Sequence, residues 1–207
     1  MRTRVKICGI TRVEDAVAAV AQGADAIGLV FWPDSPRYVG FDRARQIVSA
    51  VGPFVFTVGV FVDPSREDVE AALERAGCSM LQFHGDESPS FCSAFGRAWL
   101  KAFRVGGKRD LIESVESYRD ATGWMFDTWD ERLAGGTGES FDWNLVPRNL
   151  SRPLVLSGGL TPGNVGDAIR NLRPWAVDVS SGVESDKGIK DASKVAAFIA
   201  GVRNADQ

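Results

Sequence analysis

The chain has 207 residues, of which 44% are hydrophobic and 25% are charged, a composition typical of a folded globular protein. Its 24 basic and 27 acidic side chains leave a formal net charge of -3, and no basic segment stands out, so an electrostatic surface for nucleic acid is excluded. Three cysteines without Cys-x-x-Cys spacing and a single histidine argue against a disulfide framework and against a zinc site, so we expect no metal.

Eight short apolar segments alternate with segments of helical periodicity along the chain. Strands of a parallel sheet covered by helices have this apolar character. The predicted strands span residues 4–9, 26–31, 55–62, 80–84, 99–104, 123–127, 153–157 and 176–179. The clearest predicted helices span residues 13–22, 66–76, 162–171 and 192–202.

Eight strands with intervening helices predict the α/β class and one (β/α)8 TIM barrel, which we expect to form a single catalytic domain over residues 1–207. An open doubly wound sheet is the alternative, but it usually has fewer strands and carries a Gly-x-Gly-x-x-Gly turn that is absent here. No apolar segment approaches the length of a membrane span and no signal region opens the chain, so we expect a cytoplasmic protein without membrane contact. The exposed helices of such a barrel are compatible with a monomer or a homodimer.

Polar side chains recur at alternate positions of the predicted strands. Residues two apart on a strand share a face, so Lys6 and Cys8 point one way while Val5 and Ile7 point the other. The apolar face belongs against the helices, which leaves the polar face to the barrel interior. Barrel enzymes place their chemistry at the carboxyl ends of the strands. The polar set predicted to face the interior comprises Lys6, Cys8, Gln82, His84, Asp127 and Asp178.

Cys8 lies at the end of the first predicted strand. A thiol with an ordinary pKa of about 8.5 is mostly protonated at neutral pH, and we expect Lys6, on the same face, to favour the thiolate. A lone cysteine is more often a buried structural residue, which is the interpretation we adopt for Cys78 and Cys92. For Cys8, the inward position at the strand end favours a functional role.

Asp127 ends the sixth predicted strand, directly after Phe126. A carboxylate at the end of an apolar strand is costly unless it is paired, hydrated or catalytic, so Asp127 is a candidate proton donor. A cap on the following segment, through Thr128, is the alternative, and the sequence leaves both interpretations open.

Two glycine-containing loops follow the last two predicted strands. Ser157-Gly158-Gly159-Leu160-Thr161-Pro162 leads into a helix, and Ser180-Ser181-Gly182-Val183-Glu184 follows the eighth strand. Glycines let backbone N–H groups approach an anion, and a helix N-terminus adds a favourable dipole. Barrels often bind phosphate at these two loops. We therefore predict a phosphate site at Gly158, Gly159, Ser181 and Gly182.

Three further features carry weaker signals. Arg37, in Ser35-Pro36-Arg37-Tyr38, is suited to bind a carboxylate through two hydrogen bonds, or it is an ordinary surface arginine. His84 is compatible with a pocket-lining role and equally with a satisfied core histidine. The glycine-rich segment at 133–138 is either a mobile loop over the barrel mouth or a simple connection.

Taken together, these motifs closely resemble the phosphoribosylanthranilate isomerase family of tryptophan biosynthesis. They run in order over nearly the whole chain at the family's spacing. Phe83 is a departure, since leucine is usual there, and we expect it to face the helices. The matching motifs are Lys6-Ile7-Cys8-Gly9-Ile10-Thr11, Ser35-Pro36-Arg37-Tyr38, Gln82-Phe83-His84-Gly85, Phe126-Asp127-Thr128, Gly135-Gly136-Thr137-Gly138, Phe141-Asp142-Trp143, Leu156-Ser157-Gly158-Gly159-Leu160 and Val177-Asp178-Val179-Ser180-Ser181-Gly182-Val183-Glu184.

The resemblance implies an Amadori rearrangement of N-(5'-phosphoribosyl)anthranilate to 1-(2-carboxyphenylamino)-1-deoxy-D-ribulose 5-phosphate, with no cofactor. It implies that Asp127 is the general acid that protonates the ribose ring oxygen and that Cys8 is the general base that removes the C2 proton. Arg37 would bind the anthranilate carboxylate, and the two glycine loops would bind the phosphate. Lys6, Gln82, His84 and Asp178 are further candidates for substrate contacts.

Other phosphate-binding barrels are the nearest alternatives. A sugar-phosphate epimerase would want a metal site, and an indole-glycerol phosphate synthase would want catalytic lysine and glutamate groups on the strands. A non-catalytic sugar-phosphate-binding barrel would use the anion loops but would have no use for Cys8 and Asp127 at the strand ends.

Overall fold

Eight parallel strands close into a barrel in which each strand pairs with its neighbours in sequence and β8 returns to β1. The computed structural model describes residues 2–105, 115–127, 146–147 and 149–207. The prediction of a (β/α)8 barrel is confirmed, and each strand lies within two residues of its predicted bounds. The strands are β1 Arg4–Ile7, β2 Ala26–Val30, β3 Phe56–Phe61, β4 Met80–Phe83, β5 Trp99–Arg104, β6 Gly123–Asp127, β7 Leu154–Ser157 and β8 Ala176–Val179.

Helices follow most of the strands and cover the outside of the barrel. The helix predicted over 66–76 has that span, but its second half, Ala72–Ala76, is π-helical. The helix predicted from residue 162 begins only at Val165, because Asn164 Oδ1 accepts the N–H of Thr161 and holds the preceding residues in a turn. The α-helices in the described part of the chain are α1 Val13–Gln22, α2 Phe41–Val51, α3 Arg66–Ala71, α4 Pro89–Cys92, α5 Val165–Leu172 and α6 Ala192–Ala205.

The main core lies between the strands and the helices. Outward side chains of the strands, such as Ile7, Leu81 and Trp124, are fully buried there. Phe83 belongs to the same layer and contacts the rings of Phe61, Phe91, Phe95 and Trp99. The prediction that Phe83 faces the helices is therefore confirmed.

The interior of the barrel is apolar at the amino ends of the strands and polar towards their carboxyl ends. The apolar layer is formed by Leu100, Ala102, Met125, Val155 and Ala176. The next inward positions along β6, β7 and β8 are Asp127, Ser157 and Asp178. Successive side chains of a strand point to opposite faces. The apolar side chains of these strands pack outward against the helices, so the polar side chains between them point inward.

A short antiparallel hairpin follows β8 and was not predicted from the sequence. A 3-10 turn, Ser181–Val183, leads into β9 (Glu184–Asp186), which pairs with β10 (Ile189–Lys190). Thr11 Oγ1 donates a 2.6 Å hydrogen bond to the carbonyl of Gly188 and ties the hairpin to the loop after β1. The hairpin carries Glu184 and Lys190 to the carboxyl end of the barrel.

Within the described ranges, no helix is long and apolar enough to cross a membrane. The glycine-rich segment at 133–138 and the Phe141-Asp142-Trp143 motif lie outside the described residues.

Candidate active site at the carboxyl ends of the strands

A buried chain of polar contacts links β1, β8 and β7 inside the barrel. Lys6 Nζ donates a 2.8 Å hydrogen bond to Asp178 Oδ1, and Ser157 Oγ donates one of 3.1 Å to Asp178 Oδ2. All three side chains are buried. Lys6 and Asp178 are paired in the register of β1 and β8, so the closure of the barrel itself brings the two charges together.

Cys8 follows β1 and is buried against Val30 and Val60 of the neighbouring strands. Its thiol lies over Gly28 of β2. A Cβ at position 28 would come within 2.6 Å of Cys8 Sγ and within 3.1 Å of Lys6 Nζ, a spacing that only glycine permits without a shift of these groups. Gly28 is therefore part of the site, because it makes room for the thiol and the ammonium group side by side.

The expectation that Lys6 favours the Cys8 thiolate is confirmed, but burial has the larger effect on the thiol. Burial raises the pKa of the Cys8 thiol, and although the nearby charge of Lys6 lowers it, the net shift is upward. Burial alone would lower the pKa of Lys6, but the attraction of Asp178 and Cys8 raises it above its ordinary value. Lys6 is thus a permanent cation that is shared with Asp178, and its charge does not outweigh the cost of desolvating a thiolate.

Asp127 contacts His84 across the barrel mouth. Asp127 ends β6 and His84 directly follows β4, and Asp127 Oδ2 lies 3.1 Å from His84 Nε2. Both side chains are about one-fifth exposed, so they border the opening of the barrel. The structure brings together the two residues that were separate candidates in the sequence.

Gln82 lies inside the barrel, deeper than His84 on the same face of the chain. Its Nε2 is 3.5 Å from His84 Nδ1. The side chain is 1% exposed, and among the described residues Gln82 Oε1 has no hydrogen-bond partner. A buried amide oxygen without a partner is unusual, and this atom is available to a ligand or a water molecule in the barrel.

The loops after β7 and β8 pack tightly against each other. A Cβ on Gly182 would lie 1.9 Å from the carbonyl oxygen of Leu160, so this approach requires glycine. Gly158 and Gly159 have positive φ angles of 89° and 62°, which favour glycine as well. Ser181 is exposed at the start of the 3-10 turn. The predicted phosphate residues therefore lie on two loops that meet at Gly182 and Leu160.

Arg37 is held by an acidic residue that the sequence interpretation did not single out. Its Nε and Nη2 donate hydrogen bonds of 2.7 Å each to the two carboxylate oxygens of Glu184. Lys190 Nζ donates to Glu184 Oε1 at 2.8 Å and to the Ser180 carbonyl at 3.2 Å. Burial would raise the pKa of Glu184, but the hydrogen bonds from Arg37 and Lys190 hold it below its ordinary value.

Three site residues were thus missed in the sequence: Gly28, Glu184 and Lys190. Glu184 stands at the end of a motif whose glycine was noted, and a charged residue beside a phosphate loop is the signal that could have found it. Gly28 gives a weaker signal. A glycine inside a predicted strand indicates that another group approaches the backbone closely, but it does not show which group. Among the described residues, no group of three or more His, Cys, Asp and Glu side chains could hold a metal ion.

The fold and this cluster of ionisable groups place the chain among the (β/α)8-barrel enzymes, whose active sites lie at the carboxyl ends of the strands. The family model described as N-(5'phosphoribosyl)anthranilate (PRA) isomerase matches residues 5–201. The N-(5'-phosphoribosyl)anthranilate isomerase of Nitrosospira multiformis is 57% identical over 202 residues, which cover 98% of this chain and 97% of that protein. The chain belongs to the N-(5'-phosphoribosyl)anthranilate isomerase family, and it is an isomerase of tryptophan biosynthesis.

Solved structures agree with this assignment. The phosphoribosyl anthranilate isomerase of Thermotoga maritima has a TM-score of 0.90 and 43% identity, with 98% of this chain and 99% of that chain covered. A second phosphoribosyl anthranilate isomerase structure, in complex with reduced 1-(o-carboxyphenylamino)-1-deoxyribulose 5-phosphate, has a TM-score of 0.82 and 40% identity, with 98% and 99% covered.

Proposed function

We propose that Asp127 and Cys8 are the general acid and the general base of this isomerase. The observation that carries the proposal is their common position: both groups face the interior at the carboxyl ends of their strands, where Cys8 packs over Gly28 and Asp127 contacts His84. A reacting sugar bound in the barrel mouth would have one group on either side. Proton transfer by a positioned side chain contributes roughly 10²–10⁴-fold to a rate.

In the first half of the reaction, the Asp127 carboxyl group gives its proton to the ribose ring oxygen. The bond from C1 to that oxygen breaks, and the nitrogen lone pair forms a protonated imine at C1. Asp127 is left as a carboxylate. His84 Nε2, 3.1 Å away, is placed to hold that charge by a hydrogen bond.

In the second half, the Cys8 thiolate removes the proton from C2. The electrons of that C–H bond form a C1–C2 double bond, and the electrons of the imine return to nitrogen. The resulting enolamine takes a proton at C1 and releases the proton of its C2 hydroxyl group, so that the C2–O bond becomes the carbonyl of the ketone. The positive charge of the imine would act against the burial that raises the pKa of Cys8, and so would favour the thiolate when the base is needed.

The site offers binding groups for both charged ends of the substrate. The loops at Gly158-Gly159 and Ser181-Gly182 offer backbone N–H groups for the phosphate. Arg37 donates two of its N–H groups to Glu184. Its remaining N–H groups would bind the anthranilate carboxylate. Lys6 and Asp178 line the barrel interior, and Gln82 Oε1 is available to a substrate hydroxyl.

We also propose a cytoplasmic location and a reaction without a cofactor. The location is supported by three free, buried cysteines, which are usual in a reducing compartment. The imine makes the C2 proton acidic, so that acid and base groups suffice.

Growth of a tryptophan auxotroph that lacks this isomerase tests the function. The wild-type chain is expected to restore growth without tryptophan, because a protein that only binds the sugar phosphate cannot supply the product. Expression of soluble protein without growth would contradict the function.

A further inference from the structure

The Arg37 guanidinium is fixed before any substrate arrives. Its Nε and Nη2 each donate a 2.7 Å hydrogen bond to one oxygen of the Glu184 carboxylate. A guanidinium has five N–H donors, so three donors are not used by Glu184. The Arg37 stem also packs closely over the turn after β1, since a Cβ on Gly9 would lie 2.5 Å from Arg37 Cδ. The orientation of Arg37 relative to Cys8 is therefore set by two contacts.

Glu184 is itself held in place by Lys190. Lys190 Nζ lies 2.8 Å from Glu184 Oε1, and both side chains are buried. The same ammonium group donates to the carbonyl of Ser180 at 3.2 Å and contacts its hydroxyl at 3.4 Å. Ser180 precedes the Ser181-Gly182 loop, so a continuous set of contacts joins Arg37 to the proposed phosphate loop.

This set of contacts holds two cations and one carboxylate. The buried carboxylate therefore does not cancel the positive charge, and the cluster still attracts an anion. An arginine side chain is long and flexible, and restricting it in advance removes part of the entropy that a ligand would otherwise have to overcome.

We propose that Glu184, supported by Lys190, is a positioning residue that makes the enzyme select substrates carrying an aryl carboxylate in addition to the phosphate. Glu184 occupies one edge of the Arg37 guanidinium and directs the remaining donors to the carboxylate. It acts through Arg37 and touches no reacting atom. The inference rests on the proposed role of Arg37 as the carboxylate-binding residue.

Two ligands that differ only in this carboxylate isolate the effect. One is the product analogue, reduced 1-(o-carboxyphenylamino)-1-deoxyribulose 5-phosphate. The other is the corresponding phenylamino compound, which lacks the carboxylate. Their dissociation constants are measured by calorimetry for the wild type, Arg37→Ala, Glu184→Gln and Glu184→Asp. The selectivity is the ratio of the two constants for each protein.

In the wild type we expect the carboxylate to tighten binding about 10- to 100-fold, as for charge-assisted hydrogen bonds. Arg37→Ala should abolish this selectivity. Glu184→Gln should lower it about 5- to 10-fold, while the affinity for the ligand without the carboxylate changes less than about two-fold. Glu184→Asp keeps the charge that Lys190 needs but withdraws it from Arg37, so it should lower the selectivity in the same direction.

Glu87→Gln is the matched control. Glu87 is also buried and also pairs with a lysine, since Lys101 Nζ lies 2.8 Å from its Oε2. It lies in the loop after β4, away from Arg37, and its replacement should leave the selectivity unchanged.

The outcomes separate the two proposals. Unchanged selectivity in both Glu184 variants, or an equal loss of affinity for both ligands, would overturn the role of Glu184. Unchanged selectivity in Arg37→Ala would instead overturn the role of Arg37 in the proposed function.

Discussion

His84 Nε2 lies 3.1 Å from Oδ2 of Asp127, although His84 follows β4 and Asp127 ends β6, and these two strands are not neighbours in the barrel. Strand β5 separates β4 from β6, so only side chains that reach across the mouth can meet in this way. The contact joins the single histidine of the chain to the proposed proton donor.

Replacement of His84 should slow the reaction without abolishing it. His84→Ala removes the hydrogen-bond partner that receives the charge left on Asp127 after proton transfer, and a hydrogen bond to a charged group is worth about 1.5–3 kcal/mol. We expect kcat to fall about 10- to 100-fold in steady-state assays. His84→Gln retains a donor and should recover part of the loss. Equal kcat values for the two variants and the wild type would show that the contact plays no part in turnover.

The thiol of Cys8 should titrate above its ordinary range in the free enzyme. Its pKa is raised by burial, so the thiolate should form at a higher pH than it does in an unperturbed cysteine. The ultraviolet absorbance of the thiolate, taken as the difference between wild type and Cys8→Ala, measures this midpoint. Cys78 and Cys92 do not interfere, because burial raises the pKa of each to about 12.

The same titration of Lys6→Met shows whether Lys6 raises or lowers the pKa of Cys8. Lys6 lowers the pKa of Cys8, so its removal should move the midpoint to still higher pH. A midpoint below about 8.5 in the wild type, or a downward shift in Lys6→Met, would contradict this electrostatic description.

Gly28→Ala should impair catalysis through displacement of the Cys8 thiol. The added methyl group would come within 2.6 Å of Sγ, and misplacement of a reacting group by about 1 Å can cost about 100-fold in rate. We expect kcat to fall about 10- to 100-fold while the variant still folds. Gly166→Ala is the matched control, because its methyl group would meet only the flexible end of the Arg170 side chain. Comparable kcat values for both alanine variants would mean that Gly28 has no role in placing the thiol.

Much of the fold follows from patterns that are local in sequence. The strands were predicted to within two residues because each is a short apolar segment, and the alternation along β1 correctly placed Lys6 on the inner face. The glycines of the loops after β7 and β8 were recognisable because the backbone there needs conformations that glycine favours. These features depend on neighbouring residues, which the sequence shows directly.

The missing parts of the site depend on contacts between residues that are far apart in sequence. Glu184 and Arg37 are separated by 147 positions, and nothing local indicates that they pair. The hairpin that carries Glu184 has strands of only three and two residues, too short for a periodic pattern. The sequence shows the charge of Lys6, which lowers the pKa of Cys8, but it does not show the burial that outweighs this charge, because burial also depends on distant residues.

The rate of isomerisation by Cys8→Ala and Asp127→Asn, measured beside Cys78→Ala, tests the central claim most directly. Cys78 is also buried, but it lies outside the site, so its variant controls for the loss of a buried thiol. We expect Cys8→Ala and Asp127→Asn each to lose roughly 10²–10⁴-fold in kcat and to retain their affinity for the reduced product analogue within a few-fold. The kcat of the control, Cys78→Ala, should remain close to that of the wild type. Near-wild-type turnover in either Cys8→Ala or Asp127→Asn would contradict the assignment of these two residues as base and acid.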